Sequence, residues 1–160
     1  MRPFTHLSHS HLPAIGLFLV ALTSCAQTSL NLRALTKQAA SLDAACHQSA
    51  LRFAASPAAE ARQDALRRLK ELNDTLIETA EYEREARRAN SVDLIDANRA
   101  FLEAGRAWGD CSLKYNKVLV AIGEQQAARR NYQGVFARLT GPQFAAERRQ
   151  IQAALAELDR

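Results

Sequence analysis

Few side chains in this sequence have the type and spacing that catalysis requires. Asp43 lies four residues before His47, so on a helix the carboxylate could orient the imidazole as a general base. No glycine-flanked serine and no phosphate-cradling glycine loop accompanies this pair. The other paired carboxylates lie in charged stretches typical of solvated helix faces: Glu81 with Glu85, and Asp93 with Asp96. The sequence therefore predicts a protein that is not an enzyme.

Metal and haem chemistry are not expected either. Cys46 and His47 have the order of the last two residues of a haem-attachment motif, but Asp43 stands where the motif needs its first cysteine. Three of the four histidines lie within the first 11 residues, which leaves His47 without a second histidine in the rest of the chain. We expect no metal ion and no cofactor.

Residues 1–24 have the organisation of a secretory signal peptide. The only charged residue among them is Arg2, an apolar run follows over residues 14–22, and small residues come next. This run is too short for a membrane-spanning helix, which needs about 20 apolar residues. We therefore expect residues 1–24 to be removed from the mature protein.

The end of this segment, Leu22-Thr23-Ser24-Cys25, resembles the lipobox of bacterial lipoproteins. The resemblance implies that Cys25 receives a diacylglycerol, that the peptide bond before it is cut, and that its new amino group is acylated. Several acyl chains anchor a protein to a membrane far more firmly than one. Ala26 stands where enteric bacteria reserve aspartate for inner-membrane retention, so the resemblance implies an outer-membrane lipoprotein that faces the periplasm. Residues 25–31 then form the lipidated cysteine and a short tether, and residues 32–160 form the folded domain.

Two cysteines remain once Cys25 is lipidated. Cys46 and Cys111 are an even pair, which predicts a disulfide in an oxidising compartment such as the periplasm. Counted from the ends of their helices, the two cysteines lie at similar heights if the first and third helices are parallel. A bridge within one chain is therefore favoured over a linked dimer.

Composition and periodicity predict an all-α fold. The chain is 48% hydrophobic with only 6 glycines and 4 prolines, and its apolar residues recur at spacings of three and four. We expect an up-down bundle of three long helices and a shorter fourth. The expected helices cover residues 31–55, 57–90, 91 to an end between 123 and 131, and 142–158. The course of residues 123–142 is left undecided, with Gly134 and Gly141 as the boundaries of a short segment over residues 135–139. Leu66 and Ile77 are expected to widen the apolar stripe of the second helix, whose charged end is expected to project from the bundle or fray.

A strip of small residues follows the third helix beside Trp108. It consists of Gly105, Gly109, Ser112 and Asn116. Two glycines inside a helix cost about 1 kcal/mol each relative to alanine, so close packing should compensate. Either the fourth helix of the bundle packs on this strip, or the strip is a groove for a helix from a partner protein.

The charge is mildly basic and does not predict nucleic-acid binding. The formal net charge is +4 and the isoelectric point is about 9.3. Arginine pairs recur among acidic residues, at positions 67–68, 87–88, 129–130 and 148–149, as expected of a solvated surface. Near a membrane, such pairs could also contact anionic headgroups.

The expected function is binding or assembly of another envelope component by a lipid-anchored, non-enzymatic helical bundle. A more specific alternative is a secretin pilotin, since one class of pilotins is similar in size, lipobox, helical fold and helix-linking disulfide. A third possibility is a bundle that binds a lipid or another apolar ligand around Phe101, Trp108 and Tyr115.

Overall fold

The computed structural model describes the backbone of residues 14–160 and the side chains of residues 31–160. Within this part of the chain all regular structure is helical, which confirms the all-α prediction. The five α-helices and one 3₁₀ turn are α1 (Ala14–Ala55), α2 (Ala59–Arg88), α3 (Leu94–Ala121), α4 (Gln125–Arg138), the turn Pro142–Phe144 and α5 (Ala145–Leu158).

The first three helices form an up-down bundle in which each packs against the other two. The chain reverses after α1 and again after α2, so α1 and α3 are parallel. The apolar stripe predicted for α1 is buried except at Leu42, which is half-buried; its other members are Leu32, Leu35, Ala39, Cys46, Ser49 and Phe53. The stripes of α2 and α3 meet it in one apolar core.

The helix ends follow local sequence signals. Pro57 lies between α1 and α2, as expected of a residue that cannot continue a helix. After α2, Asn90 adopts a left-handed conformation with φ 49°, and the Ser91 amide donates to the Ala86 carbonyl at 2.9 Å. Gly123 ends α3 in the same way with φ 86°, and the Glu124 amide donates to the Leu119 carbonyl at 2.8 Å.

Three features differ from the expectations. Residues 25–31, expected as a tether, lie within α1, because residues 17–55 contain no proline or glycine to interrupt the helix. The charged end of α2 does not fray, since Tyr82 and Ala86 pack against Leu32. Leu66 and Ile77 do not join the buried stripe of α2; their side chains are 44% and 47% exposed.

The undecided region between residues 123 and 142 contains a further helix, α4, which runs through Gly134. The helix expected over residues 142–158 is the 3₁₀ turn followed by α5. Arg148 donates to the carbonyls of Phe136 and Leu139 at 2.8 and 2.9 Å, and Arg129 donates to the Leu158 carbonyl at 2.8 Å. These bonds join α4 and α5 into a hairpin that packs on α3.

Candidate functional site

The strip of small residues on α3 is divided between two environments. At Gly105, a Cβ atom would lie 2.5 Å from two ring carbons of Phe144. At Gly109, a Cβ atom would lie 3.1 Å from Cδ1 of Leu139 and 3.6 Å from Cγ of Glu147. Both glycines are therefore covered by the chain's own C-terminal segment, as in the first of the two alternatives. A partner could reach them only if that segment moved away.

Ser112 and Asn116, the other half of the strip, lie at the floor of an open groove between α2 and α4. The groove has a volume of about 260 Å³. Leu66 and Leu69 of α2 form one wall, Gly134 and Val135 of α4 form the other, and Trp108 and Tyr115 complete the floor. A Cβ atom at Gly134 would meet nothing within 4 Å, so this wall is open to solvent.

Polar groups of the floor are partly satisfied within the protein. Asn131 Nδ2 donates a hydrogen bond to Oδ1 of the buried Asn116 at 3.0 Å. Burial raises the pKa of Tyr115, although its hydrogen bond with Arg62 opposes this effect. The phenol of Tyr115 is therefore neutral near pH 7, and the floor presents uncharged groups.

Two arginines of α4 carry the positive charge at the rim of the groove. The Arg138 guanidinium lies 5.8 Å from the centre of the Trp108 ring and donates to Oδ1 of Asn73. Arg130 is exposed at the other end of the α4 wall. Within residues 31–160, neither Arg130 nor Arg138 has a carboxylate within 4.0 Å. The groove thus combines an apolar surface with two positive charges that have no acidic partner among the described side chains.

The three aromatic side chains suggested as a ligand pocket belong to separate contacts. Phe101 packs edge-to-face against Phe144 with ring centres 5.4 Å apart. Tyr115 stacks on Phe53 at 5.7 Å. Trp108 and Tyr115 both line the groove, but Phe101 does not. An apolar ligand enclosed by all three side chains would need a different packing of the core.

His47 lies beside Asp43, as the spacing of four residues predicts. Its Nε2 atom lies 3.1 Å from Oδ1 of Asp43, which makes no hydrogen bond with the described residues, and Lys114 Nζ lies 2.7 Å from the same nitrogen. The neighbouring Cys46 is bonded to Cys111, so no free thiol lies beside the imidazole in the sequence. Among the residues whose side chains are described, no group of three histidine, cysteine or acidic residues could hold a metal ion.

The Cys46–Cys111 disulfide lies within one chain and links α1 to α3. The two Cα atoms are 6.0 Å apart, and both side chains are fully buried. This confirms the pairing expected from cysteine number and helix height. The bond joins α1 to α3 at the residue directly before His47.

The side chains of the signal peptide and the lipobox lie outside the described residues. Residues 1–13 lie outside the described residues, and the side chains of residues 14–30, including Cys25, are also outside them. Among the described residues, no helix has a stretch long and apolar enough to cross a membrane.

The chain matches no family model, no curated protein and no solved structure. The fold and the candidate site define the class of protein: an all-α bundle with an internal disulfide and an open, positively charged groove.

The packing of Phe144 on Gly105 can be tested with two matched glycines. We expect Gly105→Ala to lower the free energy of unfolding by about 1–2 kcal/mol, because the new methyl group overlaps a buried ring. Gly134→Ala has open space and lies inside α4, so it should raise the stability by about 0.5–1 kcal/mol through helix propensity. Urea denaturation measures both. An equal gain in both variants would show that Phe144 does not cover Gly105.

Proposed function

We propose that this protein is a lipid-anchored lipoprotein of the bacterial outer membrane, and that its α2–α4 groove binds an acidic, amphipathic segment of another envelope protein. The lipobox over residues 22–25 supports the anchor and its sorting. The Cys46–Cys111 disulfide suits an oxidising compartment such as the periplasm. The observation that carries the binding function is the pair of arginines at the rim of an open apolar groove.

The spacing of the arginines specifies the chemistry of the partner. Arg130 and Arg138 are eight residues apart on α4, or about 12 Å along its axis. A bound helix with two acidic side chains seven or eight residues apart would reach both guanidiniums. Apolar residues between them would contact Leu66, Val135 and the edge of Trp108. Paired charges of this kind give orientation and specificity, while the apolar contacts give affinity.

The test is photo-crosslinking in the native envelope from benzoylphenylalanine placed at Gly134, in the open wall of the groove. A second protein should crosslink there, and the combined Arg130→Glu and Arg138→Glu changes should reduce its yield about tenfold or more, as expected for loss of two charge pairs. The combined Arg149→Glu and Arg160→Glu changes provide the matched control, because both are exposed arginines outside the groove and the net charge changes by the same amount. Equal yields in the two charge-reversed proteins would contradict the proposed groove.

A secretin pilotin is the more specific form of this proposal, with the C-terminal helix of a secretin as the occupant. The only support that the groove gives to the pilotin proposal is that it is open to a peptide segment. Deletion of the gene should then block secretin assembly. Normal secretin multimers in the deletion strain would exclude the pilotin function. The broader proposal of a binding groove would still be tested by the crosslinking experiment.

A further inference from the structure

The turn between α2 and α3 presents apolar side chains to solvent. Val92 is 86% exposed and Ile95 is 72% exposed, the two highest values among the large apolar side chains that the structure describes. Turns favour glycine, asparagine, aspartate and serine, whose side chains suit both the backbone and water. Valine at the apex of this turn therefore has no explanation in turn formation.

The turn that exposes Val92 has an ordered backbone. Asn90 and Ser91 close the end of α2, and the Asp93 amide donates to Oγ of Ser91 at 3.2 Å. The Leu94 amide donates to the Ser91 carbonyl at 3.2 Å, which starts α3. These hydrogen bonds order the backbone on both sides of Val92, and Ile95 lies in the first turn of α3.

This turn lies at the same end of the bundle as the proposed lipid anchor. Leu32 of α1 packs against Ala97 and Ala100 of α3, which sets the relative height of the two helices. From Leu32 to Cys25 is about 10 Å along α1, and from Ala97 to Leu94, the first residue of α3, is about 5 Å in the same direction. Because Val92 lies in the turn just before Leu94, Cys25 and Val92 lie at the same end of the bundle.

The charges of the turn do not favour an anionic surface. Residues 87–96 contain two arginines and two aspartates, so this segment has no formal net charge. Attachment to a membrane here would come from the apolar side chains, and it would not require acidic lipids. This distinguishes the turn from a polybasic membrane-binding segment.

We propose that the α2–α3 turn inserts Val92 and Ile95 into the lipid interface beside the acylated Cys25. This inference rests on the proposed lipid anchor. The contact fixes the orientation of the bundle, since a lipid anchor and a turn define two points on the membrane. Trp108, at the groove floor, lies fourteen residues beyond Leu94, the first residue of α3, which places the groove about 21 Å along the bundle axis from the turn.

The test uses tryptophan fluorescence of the acylated protein in phosphatidylcholine vesicles that contain brominated acyl chains. Val92→Trp is compared with Leu51→Trp, whose position is 70% exposed near the opposite end of the bundle. The unsubstituted protein provides the background from Trp108. Both positions are exposed, so neither substitution should disturb folding.

We expect brominated lipid to quench the added emission of Val92→Trp by about twofold or more, because an interfacial side chain lies roughly 5–10 Å deep. Leu51→Trp should be unaffected, and adding anionic phosphatidylglycerol should change neither result. Unquenched emission from Val92→Trp on a protein whose mass confirms acylation would overturn the turn contact alone. If that emission instead shifted to the blue with rising protein concentration, the turn would contact a second copy. A mass without acyl chains at Cys25 would overturn the proposed anchor as well.

Discussion

Replacing Cys46 and Cys111 together with alanine is expected to lower the free energy of unfolding by about 4 kcal/mol. The disulfide closes a loop of 65 residues, so its loss restores much conformational freedom to the unfolded chain. It also joins α1 to α3 in the centre of the core, where both cysteines are fully buried. With a urea m-value of about 2 kcal/mol/M, the unfolding midpoint should fall by about 2 M.

Two control measurements show whether the loss of stability comes from the disulfide itself. Reduction of the unsubstituted protein should cause a similar loss, because it breaks the bond without removing any sulfur atoms from the core. Cys25→Ser, which removes the cysteine outside the bond, should leave the midpoint of the unacylated chain unchanged. An identical urea midpoint for the oxidised and reduced forms would contradict a stabilising role for the disulfide.

Phe144→Ala is expected to cost about 3–5 kcal/mol, the range observed when a buried aromatic ring is removed. The Phe144 side chain is 1% exposed, lies against Gly105 and packs edge-to-face on Phe101. It connects the C-terminal hairpin to α3, so its removal should loosen α5 more than the three-helix bundle. Hydrogen exchange should therefore increase most in α5, and urea denaturation measures the total loss.

Phe136→Ala is the matched control for this prediction. Phe136 is half-buried, and its ring lies under the Arg148 guanidinium at 3.7 Å. Its loss should cost less than the loss of Phe144, because less apolar surface is buried there. If the two variants lost equal stability, the attachment of the hairpin would not depend on Phe144. A partner that binds the uncovered Gly105 would bind Phe144→Ala more tightly than the unsubstituted protein.

Much of the fold could be predicted because helical bundles repeat a simple pattern. The three-four spacing of apolar residues in α1 identified its buried face from Leu32 to Phe53. The break at Pro57 and the turn at Gly123 follow from backbone geometry that neighbouring helices do not alter. Helix α4 was not predicted, because Gly134 was interpreted as a boundary. A glycine in a helix interior costs only about 1 kcal/mol, which surrounding packing compensates.

The candidate site was predictable only in part. Spacing alone identified the strip from Gly105 to Asn116, since small residues on one helix face imply a close neighbour. It could not show that Phe144 and Leu139 cover one half of the strip while the other half lies in an open groove. From the sequence, Arg130 was interpreted as part of an ordinary charged surface, and Arg138 was not singled out. A sequence signal for their proposed role did exist, because residues eight apart on a helix are only about 80° apart around its axis and can border one groove.

The sequence by itself determined the properties that depend on local chemistry: the helical class, the pairing of Cys46 with Cys111, and the resemblance of residues 22–25 to a lipobox. These follow from periodicity, from cysteine number and from a short contiguous motif. Only the tertiary structure decided which surfaces remain open. The groove and the exposed Val92 depend on how α4 and α5 pack on α3 and on which end of the bundle each turn occupies. Contacts between residues far apart in the chain set that packing, and no single segment contains the information.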